Sequence, residues 1–147
     1  GPMEVIKAMN KIQSQSTSNP AAPSQYAALA ALQGPQDFPR QLREAFIPRR
    51  AYFVEALQSI PGVSCVNPMG AFYVFPNFSA YYGKSFNGQV IDGSVALADY
   101  LLSEAKVATV PGAAFGADAF IRFSFATSME VIQKGMERIK AALAALQ

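Results

Sequence analysis

The segment AFIRFSFA, residues 119–126, constrains the fold more than any other stretch, because its alternation is strict. Successive side chains of a β-strand point to opposite faces, so one face of this segment is wholly apolar and the other carries one charge, Arg122. The first face consists of Ala119, Ile121, Phe123 and Phe125, and the second of Phe120, Arg122, Ser124 and Ala126. The pattern predicts a strand whose apolar face packs in a core.

Helical spacing dominates the first part of the chain. Apolar residues recur every three to four positions in residues 3–13, and an alanine-rich helix is predicted over residues 24–32. Between them the uncharged run QSQSTSNP, residues 13–20, has the composition of a linker. The Gly-Pro pair at 34–35 predicts the end of the second helix.

A longer helix is expected from Asp37 to about Ser59, with Asp37 able to cap its first turn. Pro48 interrupts this helix, because proline lacks a backbone donor and clashes with the preceding turn. The interruption predicts a kink or break near residues 45–47, either a hinge or a kink that the helix tolerates.

From Gly62 the hydrophobic period becomes that of strands. Residues 81–93 are expected to form a loop that is mobile at KSFNGQ. The remaining strands are expected at 63–66, 71–78, 107–110 and 119–126. A helix over 95–105 is marked by the stripe Val95, Ala98, Leu101, Leu102 and Ala105, and a last helix by the stripe Ile132, Met136, Ile139, Leu143 and Leu146. Thr127 to Glu130 has the pattern of a capping box for that helix. The order predicts an α/β fold, in which a small, largely antiparallel sheet has helices packed on one face.

Composition limits the chemistry that the chain can perform. It has no histidine and one cysteine, Cys65, which argues against a disulfide, a zinc site and a histidine-activated nucleophile. A lone thiol with apolar neighbours favours a buried position and a cytoplasmic protein. The net charge of +2 is scattered, and no apolar run approaches a membrane span, so neither nucleic acid nor membrane is an expected partner. Gly1-Pro2-Met3 has two open interpretations, a protease scar before a start methionine or native sequence cut from a longer protein.

Arg122 is the most suggestive single residue. It could be a strand arginine whose stem packs while its head reaches solvent. Alternatively, its planar guanidinium could hold a carboxylate through two hydrogen bonds, on a rigid strand beside phenylalanine. The loop PGAAFG, residues 111–116, lacks the spacing of a phosphate-binding motif and is expected to be a plain turn. Phe72 is, by its position on an alternating strand, expected in the core.

Four ordered motifs carry a resemblance to a known family. They are GPMEVIKAMNKIQSQSTSNP, GAFYVFPNFS at 70–79, VATVPGAAFG at 107–116 and FIRFSFATS at 120–128. Together they resemble the C-terminal part of a fold-type I, pyridoxal-phosphate-dependent aminotransferase of the aspartate aminotransferase kind, in class I/II. The resemblance implies that residues 1–36 are a remnant of the large cofactor-binding domain. It also implies that residues 37–147 are the small C-terminal domain with the interdomain helix.

The same resemblance implies three substrate-binding residues. Arg122 would bind the substrate α-carboxylate, Phe72 would line the substrate pocket, and Ser18 would point into the active site of the neighbouring subunit of a homodimer. No catalytic, cofactor-binding or metal-binding residue is expected in this chain, because the family's Schiff-base lysine precedes the matching segment. Pyridoxal 5'-phosphate is expected in the full-length parent and not on this chain.

The implied parent reaction moves an amino group from aspartate, or a related amino acid, to 2-oxoglutarate. In one branch of the family an arginine binds the distal carboxylate at the position of Ser14, so another residue would do this here or the preference is not strictly for dicarboxylic acids. The isolated chain is expected to be inactive. The rival hypotheses are a stand-alone, non-catalytic module that binds an amino acid or carboxylate, and a purely structural fragment.

Overall fold

The chain folds into five α-helices, five short strands and two 3-10 turns, in a computed structural model that describes residues 1–147. The helices are α1 Met3–Ser16, α2 Ala22–Gln33, α3 Asp37–Gln58, α4 Ser94–Ser103 and α5 Met129–Ala144. The strands are β1 Tyr73–Val74, β2 Ser85–Phe86, β3 Gln89–Val90, β4 Val110–Pro111 and β5 Ile121–Ser124. The backbone forms two compact units, Gly1–Gln41 and Leu42–Gln147.

In the first unit the linker prediction is wrong for residues 13–16, which continue α1. The hydroxyls of Ser14 and Ser16 donate to the carbonyls of Lys11 and Ile12, so these polar side chains bond back to their own helix. The connection is therefore short, from Thr17 to the start of α2. Neither α1 nor α2 has a buried residue.

Of the two outcomes predicted near Pro48, a kink or a break, the break does not occur, because α3 continues through this residue. Proline removes only its own backbone donor, and the turns on either side keep their hydrogen bonds, so one missing bond does not end the helix. At its start, Asp37 accepts a hydrogen bond from Arg40 at 3.0 Å, on the protein surface. The second half of α3 enters the core through Phe53 and Leu57.

The second unit has the predicted fold class. Strand β5 is central in a three-stranded antiparallel sheet of order β1-β5-β4. Val74 lies opposite Phe123, and Val110 lies opposite Arg122. The strands predicted at 63–66, 71–78, 107–110 and 119–126 are all too long. The first contributes only a bridge at Ser64, the second Tyr73–Val74 with a bridge at Asn77, the third only Val110, and the fourth Ile121–Ser124 with a bridge at Phe120. Prolines at 68, 76 and 111 lack the donors that longer ladders need.

Helices α3, α4 and α5 supply most of the core against one face of β5, as the alternation predicts. Ile121 and Phe123 on that face are buried, and every residue of the predicted last-helix stripe is buried. The predicted stripe of α4 is wrong in part, because Val95 and Leu102 are exposed. The buried residues of α4 are Ser94, Leu97, Ala98, Tyr100 and Leu101.

Two local predictions need correction. The loop expected to be mobile at KSFNGQ is a β-hairpin, in which β2 pairs with β3 across Asn87-Gly88. Both turn residues have positive φ, 50° and 82°, which suits a two-residue hairpin turn. The cap of α5 is Ser128 and not Thr127, because the Ser128 side chain accepts a hydrogen bond from the Val131 amide.

Candidate functional site

Arg122 lies half-buried on the face of β5 opposite the core. Its guanidinium carbon is 4.5 Å from the centroid of the Tyr73 ring and 4.8 Å from that of the Phe115 ring. Both distances fall within the range in which a cation is attracted to an aromatic face. Strand β1 supplies Tyr73, and the 3-10 turn Gly112–Phe115 supplies Phe115.

No acidic group neutralises this cation. The single salt bridge within the chain joins Arg40 to Asp37, so the Arg122 guanidinium has no carboxylate partner in the protein. A guanidinium has five N–H donors in one plane, and here no acidic side chain of the protein binds them. A carboxylate offers the matching pair of acceptors. The geometry therefore fits a binding site for a carboxylate or a similar planar anion.

Further aromatic rings extend the cluster on both sides. The Phe72 ring lies 4.5 Å from that of Tyr73, and Phe72 is 40% exposed, so it is not the core residue that its strand position suggested. On the other side Phe75 meets Phe115 edge-on at 5.9 Å and stacks on Phe120 at 5.0 Å. The surroundings of Arg122 are thus apolar, which strengthens any charge-assisted hydrogen bond formed there.

In the loop PGAAFG, which was expected to be a turn, residues 112–115 form a single 3-10 turn. Gly112 is essential to its shape. A side-chain Cβ at this position would lie 2.1 Å from the Ala117 carbonyl oxygen and 2.3 Å from that of Phe120. The Gly112 amide donates to the same Phe120 oxygen at 2.8 Å, so the loop is drawn tightly against the start of β5.

A polar cluster of Ser94 and Asp118 holds the other side of this loop. The Ser94 hydroxyl donates to the Asp118 carboxylate at 2.6 Å and accepts from the Ala113 amide at 3.0 Å, and the Ser94 amide also donates to Asp118. These hydrogen bonds from Ser94 hold the pKa of Asp118 below its ordinary value. Burial, and then the charge of Asp118, raise the pKa of Tyr82 to about 12, and its hydroxyl donates to the Asp118 carbonyl.

Sequence reasoning missed the Ser94–Asp118 cluster. Its partners are 24 residues apart, and neither residue belongs to a recognisable motif. The available signal was a serine at the start of a predicted helix, which is normally a capping residue on the surface. Here the serine is fully buried and caps nothing in its own helix.

We expect Ser94→Ala to lower the stability of the protein near neutral pH and to flatten its acid dependence. The pKa of Asp118 in the folded protein lies below its usual 3.8. The ionised carboxylate therefore stabilises the fold fully above pH 3.8, and this stabilisation is lost as the pH falls through the pKa of the folded protein. Urea unfolding between pH 7 and 2.5 measures this. The matched control is Ser103→Ala, on the same helix, whose hydroxyl donates only to the Asp99 carbonyl. Identical acid profiles for Ser94→Ala and the wild type would contradict the assignment.

The third predicted site residue, Ser18, lies in the first unit. It is exposed, has a positive φ of 61°, and its amide donates to the Gln13 carbonyl at 2.8 Å, which closes the end of α1. Ser14, the position of the distal-carboxylate arginine in one branch, has its hydroxyl bonded to Lys11. Phe72 and Arg122 belong to one aromatic cluster, which Tyr73 connects. Ser18 belongs to the other compact unit of the chain.

The cluster around Arg122 does not by itself fit pyridoxal phosphate. Covalent attachment of that cofactor needs a lysine amine, and the cluster contains none. In the second unit the Lys106 amine donates to the Ser103 carbonyl, the Lys84 amine lies over the Tyr81 ring, and Lys134 and Lys140 are exposed on α5. The Arg122 cluster therefore offers a cation for a carboxylate and contains no lysine amine.

Two further features of the second unit lie apart from the Arg122 cluster. A cavity of about 440 Å³ beside β5 is lined by apolar side chains and by Lys106, Lys134 and Arg138, but not by Arg122. Cys65 is half-buried, and burial raises the pKa of its thiol, which makes it a poor nucleophile.

No group of three metal-ligating side chains comes together in residues 1–147. None of the helices combines the length and hydropathy needed to cross a membrane.

Fold and site together define an α/β domain that presents Arg122, which has no salt-bridge partner, between two aromatic rings. A profile of the family described as Aminotransferase class I and II matches residues 1–139. An aspartate/prephenate aminotransferase of Cereibacter sphaeroides is 51% identical in an alignment of 147 positions, which covers 99% of this chain and 37% of that protein. An aspartate aminotransferase of Geobacillus stearothermophilus is 47% identical over 140 residues, covering 95% of this chain and 34% of that protein.

The fold agrees with the sequence comparison. The crystal structure of the aspartate aminotransferase from Rhizobium meliloti superimposes with a TM-score of 0.89 and 44% identity, over 100% of this chain and 37% of that one. The chain belongs to the class I and II aminotransferase family. It spans little more than a third of the length of these relatives.

Proposed function

We propose that this chain is the C-terminal portion of a pyridoxal-phosphate-dependent aspartate aminotransferase, in which Arg122 binds the α-carboxylate of the substrate. The reaction would transfer an amino group from aspartate, or a related amino acid, to 2-oxoglutarate. The observation that carries the proposal is the unpaired guanidinium of Arg122, held between aromatic rings on the open face of β5. The family membership and the names of the relatives support the reaction type.

A single arginine suits this reaction because both substrates carry the same group. The amino acid and the 2-oxo acid each have a carboxylate next to the reacting carbon, and they occupy the site in turn. A bidentate pair with Arg122 would fix the orientation of that carbon in each case. Phe72, partly exposed and next to Tyr73, would line the pocket, and Ser18 would border the site of a neighbouring subunit.

The cofactor and its chemistry would come from polypeptide outside this chain. Pyridoxal phosphate supplies the electron sink of the family's reaction, and no lysine of the Arg122 cluster can hold it. We therefore assign residues 1–36 to the large cofactor-binding domain and residues 37–147 to the small domain. A homodimeric, cytoplasmic parent completes the proposal, and the single half-buried cysteine supports a reducing compartment.

A chimera tests the proposed reaction. The segment of the Rhizobium meliloti enzyme that this chain matches is replaced by the chain itself, since the two superimpose over their whole common length. We expect the chimera to bind pyridoxal phosphate and to transaminate aspartate with 2-oxoglutarate, measured by coupled detection of oxaloacetate. A soluble chimera that keeps the cofactor's absorbance but turns over neither aspartate nor a related donor would contradict the proposed function.

The 147-residue chain alone serves as the control for that experiment. We expect no activity from it, and no cofactor absorbance that survives desalting, because an internal aldimine needs the missing amine. A stable aldimine band would show that a lysine of this chain can hold the cofactor. That result would favour an independent catalytic module over a portion of a larger enzyme.

A further inference from the structure

We propose that Tyr73 and Phe115 are positioning residues that fix the guanidinium plane of Arg122 before any ligand binds. We call this pair the aromatic clamp. The proposal rests on the proposed function of Arg122 and extends it to residues that need not touch the substrate themselves. It also explains how the chain holds a cation in place without neutralising it.

Two aromatic rings, and not one, contact the Arg122 side chain. The Arg122 guanidinium contacts two rings from segments about forty residues apart in the chain, at 4.5 Å and 4.8 Å from their centroids. One such contact on an exposed arginine is common and weak, but two contacts restrict the side chain from two directions. The alternative way to hold an arginine is a carboxylate, and that would occupy the N–H groups that a ligand needs.

Each ring of the aromatic clamp is itself supported by neighbouring residues. Tyr73 pairs with Ser124 in the sheet, and its ring packs against Phe72. Phe115 leans edge-on against Phe75. A ring held by its own neighbours can hold a third group, whereas a mobile surface ring cannot.

The backbone that carries Phe115 is equally constrained. Gly112 lies so close to the Phe120 carbonyl that a methyl group does not fit. The hydroxyl of Ser94 ties the turn at Ala113 to Asp118. These contacts place Phe115 over Arg122 although Phe115 is 51% exposed. Phe115 is too exposed to be a core residue, yet the turn that carries it is tightly constrained. We attribute this constraint to the role of Phe115 in positioning the Arg122 guanidinium.

The aromatic clamp would pre-organise the Arg122 side chain for binding a carboxylate. An arginine that must lose its side-chain freedom on binding loses affinity for its ligand. If the clamp orders Arg122 beforehand, its removal should weaken carboxylate binding without removing the charge. We expect a roughly three- to tenfold loss of affinity for each ring that is replaced by leucine.

The experiment is side-chain NMR on the 147-residue chain labelled with ¹⁵N. The heteronuclear NOE of the Arg122 Nε–H group reports its rigidity without ligand, and Arg138, exposed on α5, is the internal comparison. Titration with maleate then gives the dissociation constant. The variants are Tyr73→Leu and Phe115→Leu, with Tyr73→Phe and Phe115→Tyr as conservative partners. Tyr26→Leu, a substitution of an exposed tyrosine in the first unit, is the matched control.

We expect a rigid Nε–H for Arg122 in the wild type, in the conservative variants and in Tyr26→Leu, and a mobile one in both leucine variants. Because Phe115 is half exposed, Phe115→Leu should keep the backbone spectrum of the folded protein even if Tyr73→Leu does not. A mobile Arg122 in the wild-type chain, or leucine variants as rigid and as tight-binding as the wild type, would overturn the clamp. Maleate binding that persists in Arg122→Ala would instead count against the proposed function of Arg122.

Discussion

Replacing Gly112 by alanine should lower the free energy of unfolding by about 3 kcal/mol, the largest stability loss that we expect from any single methyl group in this chain. The added Cβ would lie 2.1 Å from the Ala117 carbonyl oxygen and 2.3 Å from that of Phe120. Both neighbours are backbone atoms, so no side chain can rotate away to make room. Relief requires the loop to move off the start of β5.

That movement breaks further contacts. The Gly112 amide donates to Phe120 at 2.8 Å, and the Gly112 carbonyl accepts from Ala117 at 3.0 Å, so both hydrogen bonds lie at the point of the clash. The effect would reach Arg122 as well, because Phe115 is carried by the same turn. Urea unfolding monitored by circular dichroism measures the loss of stability, and the Arg122 Nε–H signal would show its effect on the site.

Gly135→Ala is the matched control for this prediction. Gly135 lies within α5, and a Cβ built on it meets no atom within 4 Å. Alanine favours a helix interior over glycine by about 0.5–1 kcal/mol, so this variant should be slightly more stable than the wild type. Changes of opposite sign in the free energy of unfolding at Gly112 and Gly135 would show that the space around the added methyl group determines the effect, and not the loss of a glycine as such. A Gly112→Ala variant as stable as the wild type would contradict the tight approach of the loop.

The parts of the fold that were predictable from sequence are those that depend on local periodicity. Strand β5 alternates strictly, and the stripe on α5 repeats at helical spacing, because each buries one face against a core. The buried face of α4 was predicted wrongly in part. This helix carries apolar residues on nearly every side, so the spacing of its apolar residues does not show that Leu97 and Tyr100 are buried. The hairpin at Asn87-Gly88 was missed although its turn signal is present in the sequence.

The site was predictable only as far as Arg122 itself. Its mid-strand position between aromatic residues indicated a candidate, and the family resemblance suggested its role. The clamp could not be predicted, because the register of β1 against β5 and the path of the 3-10 turn decide which rings meet the guanidinium. The Ser94–Asp118 cluster depends in the same way on how α4 packs against that turn. Contacts between distant segments leave no periodic trace in a sequence.

Replacing Arg122 by alanine in the chimeric enzyme should lower kcat/KM for aspartate by roughly 10²–10³-fold, or about 3–4 kcal/mol of transition-state stabilisation. The substitution removes a cation that has no acidic partner in the protein. It therefore weakens the binding of the substrate carboxylate and breaks no salt bridge within the fold. We expect little change in stability, because the stem of Arg122 lies on the open face of β5 and the core face keeps Ile121 and Phe123.

Arg122→Lys separates charge from geometry. Lysine keeps the positive charge but offers no planar fork, so it can hold a carboxylate through one point only, and it stacks less well between Tyr73 and Phe115. We expect kcat/KM to fall for both substrates, aspartate and 2-oxoglutarate, because each would present its α-carboxylate to the same residue. Arg138→Ala, which removes an exposed arginine of α5, is the charge-matched control and should retain activity. If Arg122→Ala kept the affinity for both substrates, their α-carboxylate would have to bind elsewhere, and the unpaired guanidinium would need another ligand.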